Sequence, residues 1–344
     1  MRRPVHRTAT LAVIALGACG RGAPSTDEHA GPSPSAPSPA ITADPSDRCD
    51  PREARVCVGN DVVACEPDGT LGRRLRACRD GCDDGECVPT CADDNAGLIY
   101  VIDDAGELLR FDPRKLPHDP FEMVGVVRCP GRHHDPFSMS IDRHGVAWVG
   151  TIDGQLFKVS TTDARCRPTP FVASRRFPRF GMGFVTDSPG GTTEKLYIAS
   201  NDPSHDLGTI DTASGLRTHT IGVVAAAEEH NPELTGTSEA RLFGFFPTAR
   251  GPSFVQEIDR TTGAAVGRRW PLGKTQLGGI GAYAFAQWGG VFYAFIETFN
   301  DAFESDATVR AIDRATGSYR VVLHHLPYRI VGAGVSTCAP ERGQ

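Results

Sequence analysis

The chain has 344 residues, a formal net charge of −6 and an ordinary apolar content of 40%. It is long enough for one large domain with extras, and its acidic balance excludes nucleic acid, which wants a basic face. With 38 Gly and 26 Pro it suits many short strands and turns.

The first residues have the three parts of an export signal. Arg2, Arg3 and Arg7 form the positive end, and Thr10 to Leu16 form a short apolar stretch. Leu16-Gly17-Ala18-Cys19 then places small residues before a cysteine. This ending resembles the lipobox of bacterial lipoproteins. The resemblance implies cleavage before Cys19, a diacylglycerol on its sulfur and an acylated new N-terminus. Several acyl chains anchor stably where one is marginal. The apolar run is too short for a spanning helix. In the family's sorting rule, Gly20 permits transfer to the outer membrane, on its periplasmic or cell-surface side. Losing the three leader arginines takes the formal charge from −6 to −9.

From Arg21 to Asp47 the chain is dominated by Pro, Ser, Ala, Gly and Thr, with almost no large apolar residue and no periodicity. It reads as a solvated tether of polyproline character, giving residues 19–47 as linker behind the anchor.

The chain has 11 cysteines. An oxidising compartment favours disulfides. Setting aside Cys19 leaves an even number. Cys49, Cys57, Cys65, Cys78, Cys82 and Cys87 crowd into residues 48–90. So short a segment needs staples, and three disulfides would supply them, their connectivity open. Val56 to Cys65 reads as a hairpin turning at Gly59-Asn60-Asp61, and Asp68-Gly69 as a second turn. The spacing of Cys78, Cys82, Cys87 and Cys91 would also suit zinc, but it lacks a clean C-x2-C pair.

Within residues 91–340, taken as one domain, the stretch from Gly97 to Thr337 repeats with a period near 50. Five strands end in an apolar-polar pair before a turn: Phe111-Asp112, Val159-Ser160, Ile210-Asp211, Ile258-Asp259 and Ile312-Asp313. Three turns read almost alike, from Asp211 to Gly215, Asp259 to Gly263 and Asp313 to Gly317. Asp can cap such a turn and Gly takes the positive φ at its end. Earlier in each unit lies a short strand of small residues, as in Phe137 to Asp142, Gly183 to Asp187, Thr235 to Glu239 and Tyr283 to Gln287. A β-rich strand follows each: from Val146, Leu196, Arg241 and Val291. Repeated up-and-down sheets of this kind predict an all-β fold, a five-bladed β-propeller behind the small disulfide-rich module. Asp142, Asp187, Glu239 and Gln287 are read as equivalent turn residues, with an axial calcium ring as the alternative.

The ends sharpen the count. The unit from Leu98 lacks an inner strand, and Val331 to Cys338 is an inner strand with nothing after it. The C-terminal strand is therefore expected to close blade 1, leaving residues 341–344 as a tail. Closure sets Cys91 beside Cys338, a predicted disulfide around a loop of nearly 250 residues. Cys129 and Cys166 are left for each other by elimination.

No G-x-S-x-G, H-E-x-x-H, P-loop or full G-x-G-x-x-G occurs. Gly278-Gly279-Ile280-Gly281 precedes a strand and reads as a blade linker. Propellers bind ligands at one mouth, and the loops assigned to it hold His133, His134, Asp135, His205, His230, Glu297, His324, His325 and Arg329. These are the candidate binding residues, with no catalytic residue assigned. Two His-His pairs could hold a metal ion or act as acid and base; the plainer reading is a solvated rim. No other cofactor is expected. Trp148, Phe157, Tyr197, Phe245 and Phe295 read as core between blades.

Pro136 to Val149, Phe180 to Phe184 with Ser188 to Glu194, and Ile330 to Pro340 resemble a set of myxobacterial lipoproteins that carry a Cys-rich spacer and a C-terminal propeller. The resemblance implies anchor and architecture and assigns no functional residue. More distantly the blades resemble streptogramin-lyase-like and calcium lactonase propellers. The reading is a monomeric, membrane-anchored envelope lipoprotein whose propeller binds or scaffolds an unidentified protein, glycan or small molecule. The alternative is an envelope hydrolase or lyase, metal-dependent at its His-rich mouth.

Overall fold

The computed structural model describes residues 48–78, 81–83, 85–87, 91, 97–131, 134–224, 232–248, 252–274, 279–300, 302 and 304–343. Cys19 and the tether lie outside the described residues. No helix of the described residues is long and apolar enough to cross a membrane.

The disulfide-rich module is a three-stranded sheet, β1 (Arg55–Val58), β2 (Asp61–Cys65) and β3 (Leu71–Ala77), followed by a small hairpin, β4 (Cys82–Asp83) and β5 (Glu86–Cys87). Val58 faces Asp61, so the first turn is Gly59-Asn60 alone and Asp61 belongs to β2. The bridges are Cys49–Cys65, Cys57–Cys82 and Cys78–Cys87. The cysteines of the zinc alternative are thus spent on sulfur. The module rests on the next domain through Glu86. Its carboxylate pairs with Arg55 and accepts from Arg165 Nη2 at 3.2 Å and Thr162 Oγ1 at 3.2 Å.

Twenty strands follow. They are β6 (Ile99–Asp103), β7 (Glu107–Phe111), β8 (Phe121–Val126), β9 (Pro136–Ile141), β10 (Val146–Thr151), β11 (Leu156–Ser160) and β12 (Cys166–Pro168). Then come β13 (Phe180–Thr186), β14 (Glu194–Ser200), β15 (Asp206–Ile210), β16 (Thr218–Val223), β17 (Glu233–Gly236), β18 (Leu242–Phe246), β19 (Pro252–Ile258) and β20 (Ala265–Lys274). The last are β21 (Ile280–Trp288), β22 (Val291–Phe299), β23 (Ser305–Asp313), β24 (Tyr319–Leu323) and β25 (Ile330–Val335). They form antiparallel four-stranded sheets in the orders β25-β6-β7-β8, β9 to β12, β13 to β16, β17 to β20 and β21 to β24, here sheets 1 to 5. The first strand of each sheet packs against the first strands of its neighbours: β9 on β13, β13 on β17, β17 on β21, β21 on β25 and β25 on β9. The fold is all-β and propeller-like.

Local chemistry explains the repeats. The Asp211, Asp259 and Asp313 carboxylates accept the backbone N–H of Ser214, Thr262 and Thr316 at 3.0, 3.0 and 2.7 Å. Each turn ends on a glycine with φ near +70 to +80° (Gly215 69°, Gly263 82°, Gly317 79°). Apolar side chains fill the spaces between sheets, as the five aromatic core residues illustrate: Trp148, Phe157, Tyr197, Phe245 and Phe295 are all buried. Each such side chain contributes about 1.5–3 kcal/mol.

The ladders fix the register of the inner strands. Ile141, Phe184, Gly236, Gln287 and Val335 pair with Ala147, Leu196, Leu242, Phe292 and Ile99. Those in turn pair with Val159, Ile210, Ile258, Ile312 and Phe111. One residue on, Asp142 falls in line with Val185, Thr237, Trp288 and Ser336. The expected equivalence of Asp142, Asp187, Glu239 and Gln287 is therefore corrected, and with it the axial carboxylate ring. Turn lengths differ between sheets, so aligning by the polar turn residue misplaces the strands. Asp142 caps its own hairpin, accepting from the backbone of His144 and Val146 and from Trp148 Nε1, all at 2.9 Å.

The C-terminal strand completes sheet 1, pairing Val335 with Ile99 and Ala333 with Val101. Cys338 is bridged to Cys91 across 247 residues, and Cys129 to Cys166 across 37. Around the first bridge, Thr337 Oγ1 donates to Glu194 Oε2 at 2.6 Å, and the Arg143 backbone N–H to Glu194 Oε1 at 2.7 Å. One carboxyl so joins sheets 1, 2 and 3; burial pushes it up to about 7. Beyond the strand, Glu341 accepts from Ser238 N at 2.8 Å and Arg314 Nη1 at 2.9 Å, reaching sheets 4 and 5.

Replacing Cys91 and Cys338 together by Ser should cost about 1–2 kcal/mol more than replacing Cys129 and Cys166, because the longer loop carries more chain entropy. Urea unfolding of the two double variants measures the difference. Equal losses would show that the long bridge does not hold the ends together.

Candidate functional site

The connections that lead into the inner strands lie beside the turns after the second strands, on one face. Ile152 N–H donates to Asp135 O at 2.9 Å, Asn201 N–H to Arg179 O at 2.9 Å and Asp104 N–H to Arg329 O at 3.1 Å. These bonds tie each incoming connection to a neighbouring turn. Between sheets 1 and 2 this face opens into a cleft of about 220 Å³. Its polar lining is Asp104, Arg128, His134, Asp135 and Thr151, over Val127, Pro136 and Val149.

Beside the cleft, Arg329 is a charge hub. Nε donates to Glu297 Oε2 at 2.8 Å, Nη1 to Asp104 Oδ2 at 3.2 Å and Nη2 to Gly281 O at 2.9 Å. The bond to Glu297 holds the guanidinium above its ordinary value. Glu297 was expected on a loop. It sits inside β22, because β22 and β23 pair over nine residues, from Val291 with Asp313 to Phe299 with Ser305.

His134 faces Asp153 Oδ2 with Nδ1 at 3.0 Å and Pro130 O with Nε2 at 3.2 Å. Burial works against ionisation of Asp153, but bonds from Thr151 and His134 outweigh it and hold the carboxyl below its ordinary value. His205 has φ 49°, and its Nδ1 is buried without a hydrogen-bond partner among the described residues. His325 Nδ1 meets Asp306 at 3.1 Å on an exposed loop, with the His324 ring 6.1 Å away. The structure does not bring His134, His205 and the 324–325 pair into one constellation. His133 and His230 lie outside the described residues. Among the described residues no group of three or more His, Cys, Asp or Glu could hold a metal ion.

Sequence reasoning missed one buried acid. Three residues before the Ile141 column, the inner strands present Ser138, Gly181, Glu233, Ala284 and Gly332. Glu233 is 3% exposed and accepts from Ser138 Oγ at 2.9 Å, two strands away. Gly181 lies between them, where a Cβ would come 2.2 Å from Pro232 O. Burial pushes Glu233 well above its ordinary value and raises Tyr283, whose shift Glu233 reinforces. An ionisable residue in a run of small inner-strand residues was the available signal.

No family model and no curated protein matches the chain. Among solved structures it is similar to a gluconolactonase from Xanthomonas campestris, with 14% identity, 69% of this chain and 75% of the other covered, and TM-score 0.38. It is also similar to a luciferin-regenerating enzyme (12% identity, 74% and 80% covered, TM-score 0.40). A Bacillus subtilis arabinanase gives 14% identity, 55% and 75% covered, and TM-score 0.37. Likeness at this level assigns no activity.

Glu233 sets a pH dependence. Its folded value lies above its unfolded one, so its contribution to stability is full below the ordinary glutamate range and is lost as pH rises through the raised value. Glu194 acts in the same sense between its ordinary 4.5 and about 7. Glu233→Gln keeps an acceptor for Ser138 and cannot ionise. It should match the native chain in thermal unfolding at acid pH and exceed it at neutral pH. A variant less stable at both would refute the assignment.

Proposed function

We propose that this chain is an exported lipoprotein, anchored by acyl chains on Cys19, that displays a five-bladed propeller closed by β25 and binds a small polar ligand at its mouth. The supporting observation is an asymmetry between the two faces. The face of the inner-strand turns is knitted shut by Glu194, Thr337, Arg143, Ser238, Arg314 and Glu341. The opposite face carries the cleft, whose lining has both signs of charge and an apolar floor. Such a concave, mixed lining favours a small ligand of similar character.

Three acid–base contacts of that face are already engaged. Glu297 and Asp104 hold Arg329, Asp153 holds His134, and Asp306 holds His325. This favours binding over the hydrolase or lyase reading, which needs a base free to meet substrate.

Mass spectrometry of the chain from expressing cells should find an acylated N-terminal Cys19, lost in Cys19→Ser. A thermal-shift panel of sugars, amino acids and organic acids should give a stabilising compound whose effect is lost in Arg128→Ala and Asp135→Ala. A compound that binds both variants unchanged would place the site elsewhere.

A further inference from the structure

On the face opposite the mouth, the Glu341 carboxylate lies among donors that the rest of the chain supplies. Ser238, in the β17–β18 turn, donates its N–H and its hydroxyl to Oε1 at 2.8 and 3.0 Å. Arg314, in the β23–β24 turn, donates from Nη1 to Oε2 at 2.9 Å. In the β21–β22 turn, Gly289 N–H donates to Pro340 O at 2.7 Å. The Arg314 and Glu341 side chains are only 11% and 13% exposed, so water does little to weaken the pair.

These donors are held in place by groups outside the C-terminal tail. The Arg314 guanidinium lies over the rings of Phe243 and Phe292, at 5.0 and 5.6 Å, and the Arg314 carbonyl accepts from Trp270 Nε1 at 3.1 Å. The Ser238 carbonyl accepts from Gly190 N–H at 2.7 Å and from Thr186 Oγ1 at 3.0 Å. The other charges nearby are Glu239, 3.8 Å from Arg314 Nη2 and 41% exposed, and Arg241, which Glu257 engages at 2.6 Å. A buried guanidinium beside preset N–H and O–H donors is what a carboxylate needs. The occupant, by contrast, sits near the end of the chain, beyond the closing strand and the last bridge.

We propose that this is a binding pocket for an acidic peptide segment, filled in cis by Pro340-Glu341 and open to a segment from another chain when the tail lifts. Two points are recognised, a carboxylate by Arg314 and Ser238 and the preceding carbonyl by Gly289. The pocket is separate from the mouth cleft and does not rest on the binding reading above.

The test uses the full mature chain carrying Glu341→Ala and a fluorescent peptide Ala-Pro-Glu-Arg, the sequence of residues 339–342. Anisotropy should show saturable binding to this variant, and binding at least about tenfold weaker to the native chain, whose tethered Glu341 competes. The peptide should also raise the melting temperature of the variant with the logarithm of its concentration. A peptide with Gln in place of Glu should bind about tenfold more weakly, since the charge-assisted bonds are lost. Adding Arg314→Gln to the variant should abolish binding. Propionate at matched ionic strength should bind more weakly than the peptide, because it lacks the carbonyl that Gly289 holds. If Glu341→Ala melts too low to titrate, Glu341→Gln takes its place with the same expectations. Equal binding of the Glu and Gln peptides, equal binding to native and variant chains, or propionate as effective as the peptide would overturn the proposal.

Discussion

Everything in the larger domain depends on the pairing of its two ends, β25 on β6. Sheet 1 has no first strand until Val335 reaches Ile99. Without it, Ile99 and Val101 lose one of their two ladders, and the cluster they share with Ile330, Ala333 and Val335 loses one side. Natural sheets rarely leave such an apolar edge open. The bridge from Cys91 to Cys338 and the bonds of Glu194 to Thr337 and Arg143 gather at the end of that strand. Their clustering places covalent and polar restraint where chain connectivity supplies none.

The same arrangement divides labour between faces. Short hairpins and the C-terminal residues occupy one, where Glu341 and Arg314 cross between sheets. The longer connections occupy the other, where side chains such as His134 and Arg329 hold loops rather than core. Loops positioned by a rigid scaffold are the usual place for recognition.

Much of the fold was legible because its signals are local. An Asp that caps a turn and a Gly with positive φ need only a few neighbours, so the ends of β15, β19 and β23 could be read directly. The bridge from Cys91 to Cys338 followed from where the ends of the domain had to meet, and that from Cys129 to Cys166 from elimination alone. Register was less legible. Asp142 looked equivalent to Asp187 because both end a strand, yet the ladders offset them. Glu297 looked like a loop residue because nothing near it announces that β22 and β23 pair over nine residues. The candidate site was legible only as a collection of polar loops. Asp104 comes from the β6–β7 turn and Asp153 from the β10–β11 turn, and only the folded sheets bring them to the connection that carries Arg128, His134 and Asp135. Glu233 escaped notice because its partner Ser138 lies two strands away.

The ladder of β25 on β6 joins the two most distant strands of the larger domain, whereas every other ladder of sheets 1 to 5 joins strands consecutive in the chain. Closing so long a stretch costs more chain entropy than closing a hairpin, and such non-local pairing is slow to form. Sheet 1 is therefore expected to be the last of the five to assemble, after the local hairpins are already in place.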